Sequence, residues 1–274
     1  MRSIAVINQK GGVGKTTTAV NLSAAISSAG HRVCVIDIDP QAHASLHLGV
    51  SLGEDEPSVY DVMTGRATLP QVRRTLTEHL ALVPAHLNLA AAEMELANEV
   101  GREVILRDQL NAWADEFDYL IFDCPPSLGI LTLNALTAAR EVFLPLQPHF
   151  LALHGLSKLL QTIQLVAARL NPQLKLSGVV MCMYDAGTRL AAEVSGDVEA
   201  FFASQVHTSN CWAQAKVFQS KIRRNIRLAE APSFGQSIFE YAPTSHGAED
   251  YRSLAQELLG EELIQCRRRT ANAA

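Results

Sequence analysis

The stretch QKGGVGKTT, residues 9–17, decides the fold predicted for this chain. It follows the apolar run at 4–7 and precedes a segment, 19–29, whose apolar residues recur with helical spacing. A strand, a glycine-rich turn and a helix in this order form a phosphate-binding loop. The glycines let successive backbone N–H groups converge on one anion, and the helix adds its positive N-terminal end. The sequence therefore predicts a nucleotide site in a doubly wound α/β fold with a mainly parallel sheet.

The loop carries two lysines with different predicted tasks. Lys15 follows the last glycine and is placed to reach the β- and γ-phosphates, while the Thr16 hydroxyl suits a magnesium ion. Gln9 replaces the first glycine of the usual pattern, and Lys10 stands inside the loop. One ammonium already pairs with the triphosphate, so Lys10 requires a separate explanation. The predicted nucleotide-binding residues of the loop are Lys10, Gly11, Gly12, Gly14, Lys15, Thr16 and Thr17.

Composition narrows the class of protein. The chain has 274 residues, of which 48% are hydrophobic, and this is enough to bury a parallel sheet covered by helices on both faces. The net charge of −5 means that any binding of nucleic acid must depend on a local basic surface. The five cysteines are scattered and odd in number, which indicates reduced thiols rather than a disulfide framework or a zinc site.

Acidic residues follow two of the predicted buried strands. The run at 32–40 carries Asp37 and Asp39, on the same side of a strand of period two. The apolar run at 119–122 ends with Asp123, a Walker B pattern that places a carboxylate near magnesium. Parallel strands bring their carboxyl ends to the edge that holds the phosphate loop, so these acids are expected to handle metal or water. Capping of a following helix is the alternative for the first pair. The predicted metal ligands are Thr16, Asp37 and Asp123.

A basic cluster lies in the last quarter of the chain. Four cations occur within seven residues, with Glu230 as the one nearby acid. A solvated charged turn is the ordinary explanation of such a run. The alternative is contact with a phosphate backbone, where each neutralised phosphate contributes a slope of about −0.9 in log K against log salt. Two clusters side by side in a dimer would roughly double that exponent. The four cations are Lys221, Arg223, Arg224 and Arg227.

Four segments, in order along the chain, resemble the ParA/MinD family of dimeric P-loop ATPases. They are KGGVGKTT at 10–17, DIDPQ at 37–41, DCPPSLG at 123–129 and KIRRNIRLAEAPS at 221–233. The resemblance implies a P-loop NTPase fold in which Lys10 reaches across a dimer interface to the partner's nucleotide. It also implies that Asp39 orients the attacking water, and the Pro-Gln pair after Asp39 favours the ParA type over the MinD type. The predicted catalytic residues are therefore Lys10, Lys15 and Asp39.

The last of these segments is similar to the family pattern I-P-R-N-x-R-x-x-E-A-P-S. The resemblance implies that Asn225 contacts adenine and that Arg224 belongs to a DNA-binding surface. Arg223 stands where the family has proline, and it adds a positive charge. Earlier in the chain, a segment like D-x-R-T-x-L has Gly187 at the expected arginine, with Arg189 two residues later. The predicted DNA-binding residues are Lys221, Arg223, Arg224, Arg227 and Arg189.

The resemblance implies a ParA-type partition ATPase with ATP and Mg²⁺ as cofactors. ATP would close a sandwich homodimer, and the dimer would bind double-stranded DNA without sequence preference. A ParB-type partner would then stimulate hydrolysis and release the DNA. This predicts a cytoplasmic, nucleoid-associated protein that segregates a chromosome or a plasmid and does not bind membrane.

Three other functions stay open. The first is a MinD-like ATPase that acts at a membrane surface, and the second is a ParA-like ATPase that positions a protein cargo. The third is an amidotransferase-like or synthetase-like P-loop enzyme that phosphorylates a carboxylate, although no second substrate motif is obvious in the sequence. For the first, the apolar stripe of the predicted last helix, 250–265, would have to lie on lipid. Glu257, Glu261 and Glu262 lie close to that stripe, and anionic lipid would repel them.

Four further expectations concern local structure. The chain is predicted to form a single domain, 1–274, whose tail at 266–274 is disordered. The segment 203–215 is expected to be a surface insertion. His43 and His47 would share one helix face, as polar surface residues or, as the alternative, a metal pair. Residues 87–110 are predicted to form one long helix with the core positions Leu89, Met94, Leu96, Val100, Ile105 and Leu106.

Overall fold

A computed structural model of the chain describes residues 1–110, 113, 116–149 and 152–271. Nine strands in these residues form one sheet. The strands are β1 (Arg2–Val6), β2 (Val33–Asp37), β3 (Arg74–Thr75), β4 (Leu80–Val83), β5 (Tyr119–Asp123), β6 (Glu141–Leu146), β7 (Lys175–Tyr184), β8 (Lys216–Val217) and β9 (Ile222–Arg223). Their spatial order is β3-β4-β2-β5-β1-β6-β7-β8, and β9 also pairs with β7. Every pairing is parallel except that of β3 with β4. The predicted mainly parallel α/β sheet is confirmed.

Helices connect the strands and cover the sheet. They are α1 (Lys15–Ser28), α2 (His43–His47), α3 (Val59–Met63), α4 (Leu69–Val72), α5 (Leu89–Glu95), α6 (Ile105–Leu110), α7 (Ile130–Ala138), α8 (Ala152–Arg169), α9 (Arg189–Ser204), α10 (Ile226–Glu230), α11 (Ile238–Tyr241) and α12 (His246–Ala271). Short 3₁₀ turns lie at Leu96–Asn98 and Ala231–Phe234. Within the described residues, no helix has both the length and the apolar character needed to cross a membrane.

Two apolar cores lie on the two faces of the sheet. One core contains side chains of α1 and α12, including Leu22, Ile26, Leu254 and Leu258. The other contains side chains of α3 to α9. The central strands β2 and β5 are buried along their whole length, because helices cover both of their faces. This burial explains why their sequences read as continuous apolar runs.

The loop-to-helix geometry at β1 follows the predicted pattern. α1 begins directly after the glycine loop and ends at Ser28, and Gly30 then adopts a left-handed conformation with φ of 89°. The N–H of Gly30 donates to the carbonyl of Ser27 at 2.9 Å, which closes the last turn. The phosphate loop is therefore held between a buried strand and a well-terminated helix.

The predicted long helix at 87–110 is wrong. The structure has α5, a 3₁₀ turn and α6, with a break at 99–104. Gly101 lies in the left-handed region, with φ of 79°, and cannot continue a helix. Asn134 on α7 then stabilises the break: its side chain accepts from the N–H of Leu106 at 3.1 Å and donates to the carbonyl of Arg102 at 2.7 Å. A side chain about 30 residues away thus replaces the helical hydrogen bonds.

The break also changes which residues reach the core. Leu89, Leu96 and Leu106 are buried as predicted, and Ile105 is partly buried against the same core. Met94 and Val100 are exposed, so these two predicted core positions are wrong. The helical period that placed them inside does not continue across the break.

The segment 203–215 begins in the last turn of α9 and is hydrogen-bonded to the rest of the protein. The N–H of Cys211 donates to the Gln164 side chain at 2.9 Å, and the Cys211 carbonyl accepts from Leu176 at 3.0 Å. Cys211 and Trp212 pack against the core beneath α8 and α9. None of the four cysteines with described side chains forms a disulfide. The prediction of one domain with a disordered tail stays a prediction, and residues 272–274 lie outside the described residues.

Candidate nucleotide site

Three functional loops meet at the carboxyl edge of the sheet. Val6 of β1 pairs with Asp123 of β5, and Asp37 of β2 pairs with the same Asp123 from the other side. The phosphate loop follows β1, so both acids lie beside it. Gly12 and Gly14 have φ of 70° and 93°, in the left-handed region that favours glycine.

The glycine loop leaves open space on its outer side. A Cβ atom added to Gly11 or Gly12 would meet no other atom within 4 Å. Gly14 lies at the N-terminus of α1, whose first N–H groups have no helical partners. Backbone donors around an open space, at the positive end of a helix, form a site that fits a phosphate group.

Lys15 is a buried cation at the base of this loop. Its side chain folds beneath the loop and donates to the carbonyl of Lys10, with 3.2 Å between Nζ and O. Burial lowers the pKa of Lys15, and the nearby carboxylates of Asp123 and Asp39 partly oppose that change. A buried ammonium that is not fully neutralised favours an anion at the open side of the loop.

Asp123 is the carboxylate that fits a magnesium ion best. Both of its oxygens are buried, and neither has a hydrogen-bond partner among the described residues. Burial, together with the charge of Asp37, raises the pKa of Asp123 well above its usual range. The nearby Thr16 hydroxyl lowers that pKa but makes no hydrogen bond to either oxygen. Because Mg²⁺ prefers oxygen ligands, an unpartnered carboxylate next to a threonine hydroxyl and a phosphate loop fits the ion.

Asp37 is hydrogen-bonded on both oxygens. Oδ2 accepts from the backbone and side chain of Ser45, at 2.8 and 2.7 Å, and Oδ1 accepts from the N–H of Asp39 at 3.1 Å. Burial raises the pKa of Asp37 to about 6, although these bonds act against the increase. The observed contacts of Asp37 therefore fasten the loop after β2 to α2.

Asp39 and Lys10 flank the phosphate loop. Asp39 is buried, and its Oδ1 accepts from the N–H of Gln41 at 2.9 Å. The Lys10 side chain is exposed and contacts His149, with 2.8 Å between Nζ and Nε2. Burial and the charge of Lys10 lower the pKa of His149. The two lysines of the loop thus differ: Lys15 is buried under the phosphate position, and Lys10 lies at the surface.

A cavity adjoins the phosphate loop at Gly14 and Thr17. It has a volume of about 440 Å³, and Gly14, Thr17, Met183 and Asn225 are among its lining residues. The Asn225 side-chain oxygen caps α10 by accepting from the N–H of Arg227 at 2.9 Å. The NH₂ group of Asn225 stays a donor for a ligand. Met183 has a φ of 50°, where β7 bulges against β9. The cavity continues from the phosphate loop and fits the nucleoside part of a nucleotide.

The predicted DNA-binding cations differ in their surroundings. Arg223 contacts Asp250 and Glu249 at 2.6 and 2.7 Å. Arg227 pairs with Glu230 and Arg189 with Glu193, each at 2.7 Å. The Lys221 ammonium lies 4.5 Å from the centre of the Tyr184 ring. Arg224 is exposed and has no ion pair within the described residues.

The two histidines after Asp39 do not form a metal site. His43 is exposed, whereas His47 is buried with its Nε2 unpartnered. Burial lowers the pKa of His47 to about 4. The described side chains contain no cluster of three or more His, Cys, Asp or Glu that could hold a metal ion. The expectation that both are polar surface residues is wrong for His47, which is buried and interacts with the backbone of Gln236.

Three residues that contact the site at the carboxyl edge of the sheet were not predicted from the sequence. Ser45 holds Asp37, and Asp250 holds Arg223. Tyr251 contacts the phosphate helix through Thr18, with 3.2 Å between the two hydroxyl oxygens. Each acts on a residue at least eight positions away. A local pattern could not identify them.

Known proteins resemble this chain over nearly its whole length. Residues 1–176 match the family model described as an AAA domain. The sporulation initiation inhibitor protein Soj of Bacillus subtilis is 45% identical over 256 residues, which cover 93% of this chain and 97% of Soj. The chromosome partitioning protein ParA of Myxococcus xanthus is 42% identical, over 98% of this chain and 91% of ParA.

A solved structure agrees with the fold. It is the crystal structure of cobyrinic acid a,c-diamide synthase from Mycobacterium smegmatis with bound ATP analog and magnesium. It superposes with a TM-score of 0.79, is 37% identical, and covers 94% of each chain. The phosphate loop, the acids beside it and these similarities lead to one conclusion. The chain belongs to the ParA/MinD family of P-loop ATPases, on the branch of the Soj and ParA proteins.

Proposed function

We propose that this ATPase is a partition protein that pairs on binding ATP and then binds DNA. The full-length relatives named Soj and ParA support partition as the biological task. The observation that carries the mechanism is the contrast between the two lysines of the phosphate loop. Lys15 is buried beneath the phosphate loop of its own chain, while Lys10 is exposed beside it.

ATP and Mg²⁺ are the proposed cofactors. The backbone of the glycine loop, with Lys15 and Thr17, would hold the phosphates, and Asn225 would donate to the base. Asp123 and Thr16 would hold magnesium, with Asp37 as the third predicted ligand. Magnesium, when bound, neutralises charge that develops on the phosphate oxygens. The buried, unpartnered oxygens of Asp123 support this assignment.

Lys10 is proposed to act on the nucleotide of a second copy. The Lys10 side chain lies at the surface. In a pair of facing copies, its ammonium could therefore contact the phosphates of the second copy's nucleotide, so that no unpaired charge is buried. The His149 contact would have to break for this to happen, since one ammonium cannot serve both sites in the same direction. Asp39 is proposed to orient the attacking water, and its burial next to Lys15 supports a fixed position.

DNA binding is proposed to depend on the 221–227 cluster, with Arg189 as an outlying member. Arg224 has the largest expected effect, because Arg189, Arg223 and Arg227 each have a carboxylate partner. One cluster per chain gives weak binding, and a dimer would present two. A ParB-type partner would stimulate hydrolysis and thereby release the DNA. The proposed location is therefore the nucleoid of the cytoplasm.

The test is DNA binding in a salt series by the wild type and Arg224→Ala, with ATP and with ADP. With ATP, we expect Arg224→Ala to lower the slope of log K against log salt by about 2, because two copies each lose one phosphate contact. Arg107→Ala is the matched control, since Arg107 is an exposed arginine on α6, outside the cluster. An Arg224→Ala slope equal to the Arg107→Ala slope would reject the cluster as the DNA surface.

A MinD-like membrane function is the first alternative. It would require the apolar stripe of α12 to be available, but Leu254 and Leu258 are buried in the core beside α1. The side chains of 261–271 lie outside the described residues. Co-sedimentation with anionic liposomes, with ATP and with ADP, separates the two functions. ATP-dependent liposome binding without DNA binding would overturn the proposal, and binding to neither would favour a protein cargo.

A synthetase function is the second alternative. The name of the Mycobacterium smegmatis structure favours it, because a diamide synthase acts on carboxylates. Soj and ParA match a larger share of identical residues over the same length, so partition is the better supported function. ATPase activity that requires an added carboxylate substrate, and that DNA does not affect, would support the synthetase.

A further inference from the structure

Arg223 is held by two acids at the start of α12. Its guanidinium donates to Asp250 through Nε at 2.9 Å and through Nη2 at 2.6 Å, and Nη2 also contacts Glu249 at 2.7 Å. Its backbone N–H donates to the other Asp250 oxygen at 2.8 Å. Asp250 is only 6% exposed. The same carboxylate therefore fixes both the main chain and the side chain of Arg223.

The segment that Arg223 belongs to is attached mainly to α12 and to β7. Glu257 of α12 accepts from the N–H groups of Gln219 and Ser220, at 2.9 and 3.0 Å. β9 has two residues, and it meets β7 across a bulge where Met183 has a positive φ. Beyond β9, the N–H of Arg224 reaches the Tyr184 carbonyl at a long 3.3 Å. A two-residue ladder gives little resistance to movement, so the contact with α12 contributes much of the fixing.

This segment forms one wall of the nucleoside cavity. Ile222, Arg223 and Asn225 line the cavity together with Tyr251, the residue after Asp250. Tyr251 also contacts the phosphate helix through Thr18, at 3.2 Å. The beginning of α12 thus touches both the wall beside the base and the helix beneath the phosphates.

We propose that Asp250, assisted by Glu249, is a positioning residue for the nucleoside half of the nucleotide site, and that it acts through Arg223. The inference rests on the proposed placement of the base beside Asn225. It also gives Arg223 a task other than DNA contact, because its charge is already matched by two carboxylates.

The replacement of proline by Arg223 explains why an acid is needed here. The proline that the family pattern has at this position would fix its own φ without any partner. An arginine has no such restriction, and its N–H requires an acceptor when it is buried. Asp250 supplies that acceptor together with the countercharge. The Arg223–Asp250 pair therefore restricts the backbone at this position, as proline does in the family pattern.

The test compares the affinities for ATP and for inorganic triphosphate, each with magnesium and without DNA. Triphosphate occupies only the phosphate loop, so it does not report on the nucleoside wall. We expect Asp250→Ala to weaken ATP binding about tenfold, as the loss of charge-assisted hydrogen bonds should, and to leave triphosphate binding unchanged. Asp250→Asn keeps one acceptor oxygen and should lie between Asp250→Ala and the wild type, which guards against misfolding of the alanine variant.

A second aspartate provides the matched control. Asp118 holds Arg32 in the same manner, accepting from its N–H at 2.9 Å and from its guanidinium at 2.8 Å. This pair lies at the opposite edge of the sheet, beside the start of β5. Asp118→Ala should therefore leave the ATP affinity unchanged. Equal losses of ATP and triphosphate binding in Asp250→Ala, or a loss of ATP affinity in Asp118→Ala, would show a general structural effect and overturn the inference.

A double-mutant cycle tests the route through Arg223. Arg223→Ala/Asp250→Ala should bind ATP no worse than Asp250→Ala alone, and the family-like Arg223→Pro/Asp250→Ala should recover affinity. Additive losses of ATP affinity in the double variant would contradict the proposed route through Arg223. Asn225→Ala separates the two proposals. Unchanged ATP affinity in Asn225→Ala would reject the base site and this inference with it, whereas a loss there with unchanged affinity in Asp250→Ala would reject this inference alone.

Discussion

The pKa values of buried or paired carboxylates are shifted in opposite directions at the two ends of the parallel strands, the amino edge and the carboxyl edge of the sheet. At the amino edge, hydrogen bonds from Arg32 lower the pKa of Asp118 to about 2. Beside it, burial acts to raise the pKa of Glu141, but the contact with Arg2 outweighs burial and the pKa is lowered. At the carboxyl edge, burial raises the pKa of Asp37 to about 6 and that of Asp123 well above its usual range.

The direction of the pKa shift distinguishes carboxylates that stabilise the fold from carboxylates that are proposed to bind a ligand. An acid with a lowered pKa stabilises the folded state at neutral pH, and an acid with a raised pKa destabilises it when ionised. The carboxyl edge has further costs, since His47 has a buried, unpartnered nitrogen and Ala42 is held at a φ of 52°. Strain and unmatched charge gather where the nucleotide is proposed to bind.

The largest effect is expected for Asp123→Asn. Loss of the carboxylate should lower the ATPase rate about 100-fold or more, because it removes the proposed metal ligand. The free energy of unfolding without nucleotide should stay the same or rise, because a buried, unpartnered carboxylate destabilises the fold. Steady-state ATPase assays and urea unfolding check both parts. Asp118→Asn is the control at the other edge and should keep its activity. A marked loss of stability in Asp123→Asn would contradict the comparison.

The second effect is a pH dependence caused by His47. An unfolded histidine gains a proton below about pH 6.5, whereas His47 in the fold stays neutral until about pH 4. The unfolded state therefore binds more protons in this window, and stability falls as the pH falls. We expect a loss of about 2 kcal/mol between pH 7 and pH 5. His47→Gln should remove that part of the slope, as measured by urea unfolding at each pH. An unchanged slope in His47→Gln would show that His47 does not cause the dependence.

The smallest effect is expected for Ala42→Gly. Ala42 precedes α2 in the left-handed region, where a Cβ atom costs about 1 kcal/mol. Glycine removes that strain but loses more freedom on folding, so the net gain should be about 0.5 kcal/mol. Thermal unfolding without nucleotide measures it. The amino edge offers the contrast, since positive φ occurs at no residue other than glycine there among the described residues. A destabilised Ala42→Gly would show that the conformation is not strained.

The sequence predicted those features of the site that depend on local order. The glycine loop between a strand and a helix can be recognised in the sequence, as can the acids at strand ends. Both features are formed by residues that are close in sequence. The broken helix at 99–104 was not predictable in this way, since Asn134 supplies its hydrogen bonds from another helix. The same holds for Arg223, whose partner Asp250 lies 27 positions away. The sequence shows where a charged residue lies, but its ion-pair partner is known only from the folded structure.

The central claim is that ATP pairs two copies of this chain through Lys10. Sedimentation velocity of the wild type and Lys10→Ala, with ATP and with ADP, tests it most directly. We expect a wild-type dimer with ATP and a monomer with ADP. We expect Lys10→Ala to bind ATP, because Lys15 is intact, but to stay monomeric. A Lys10→Ala protein that dimerises with ATP as the wild type does would contradict pairing through Lys10.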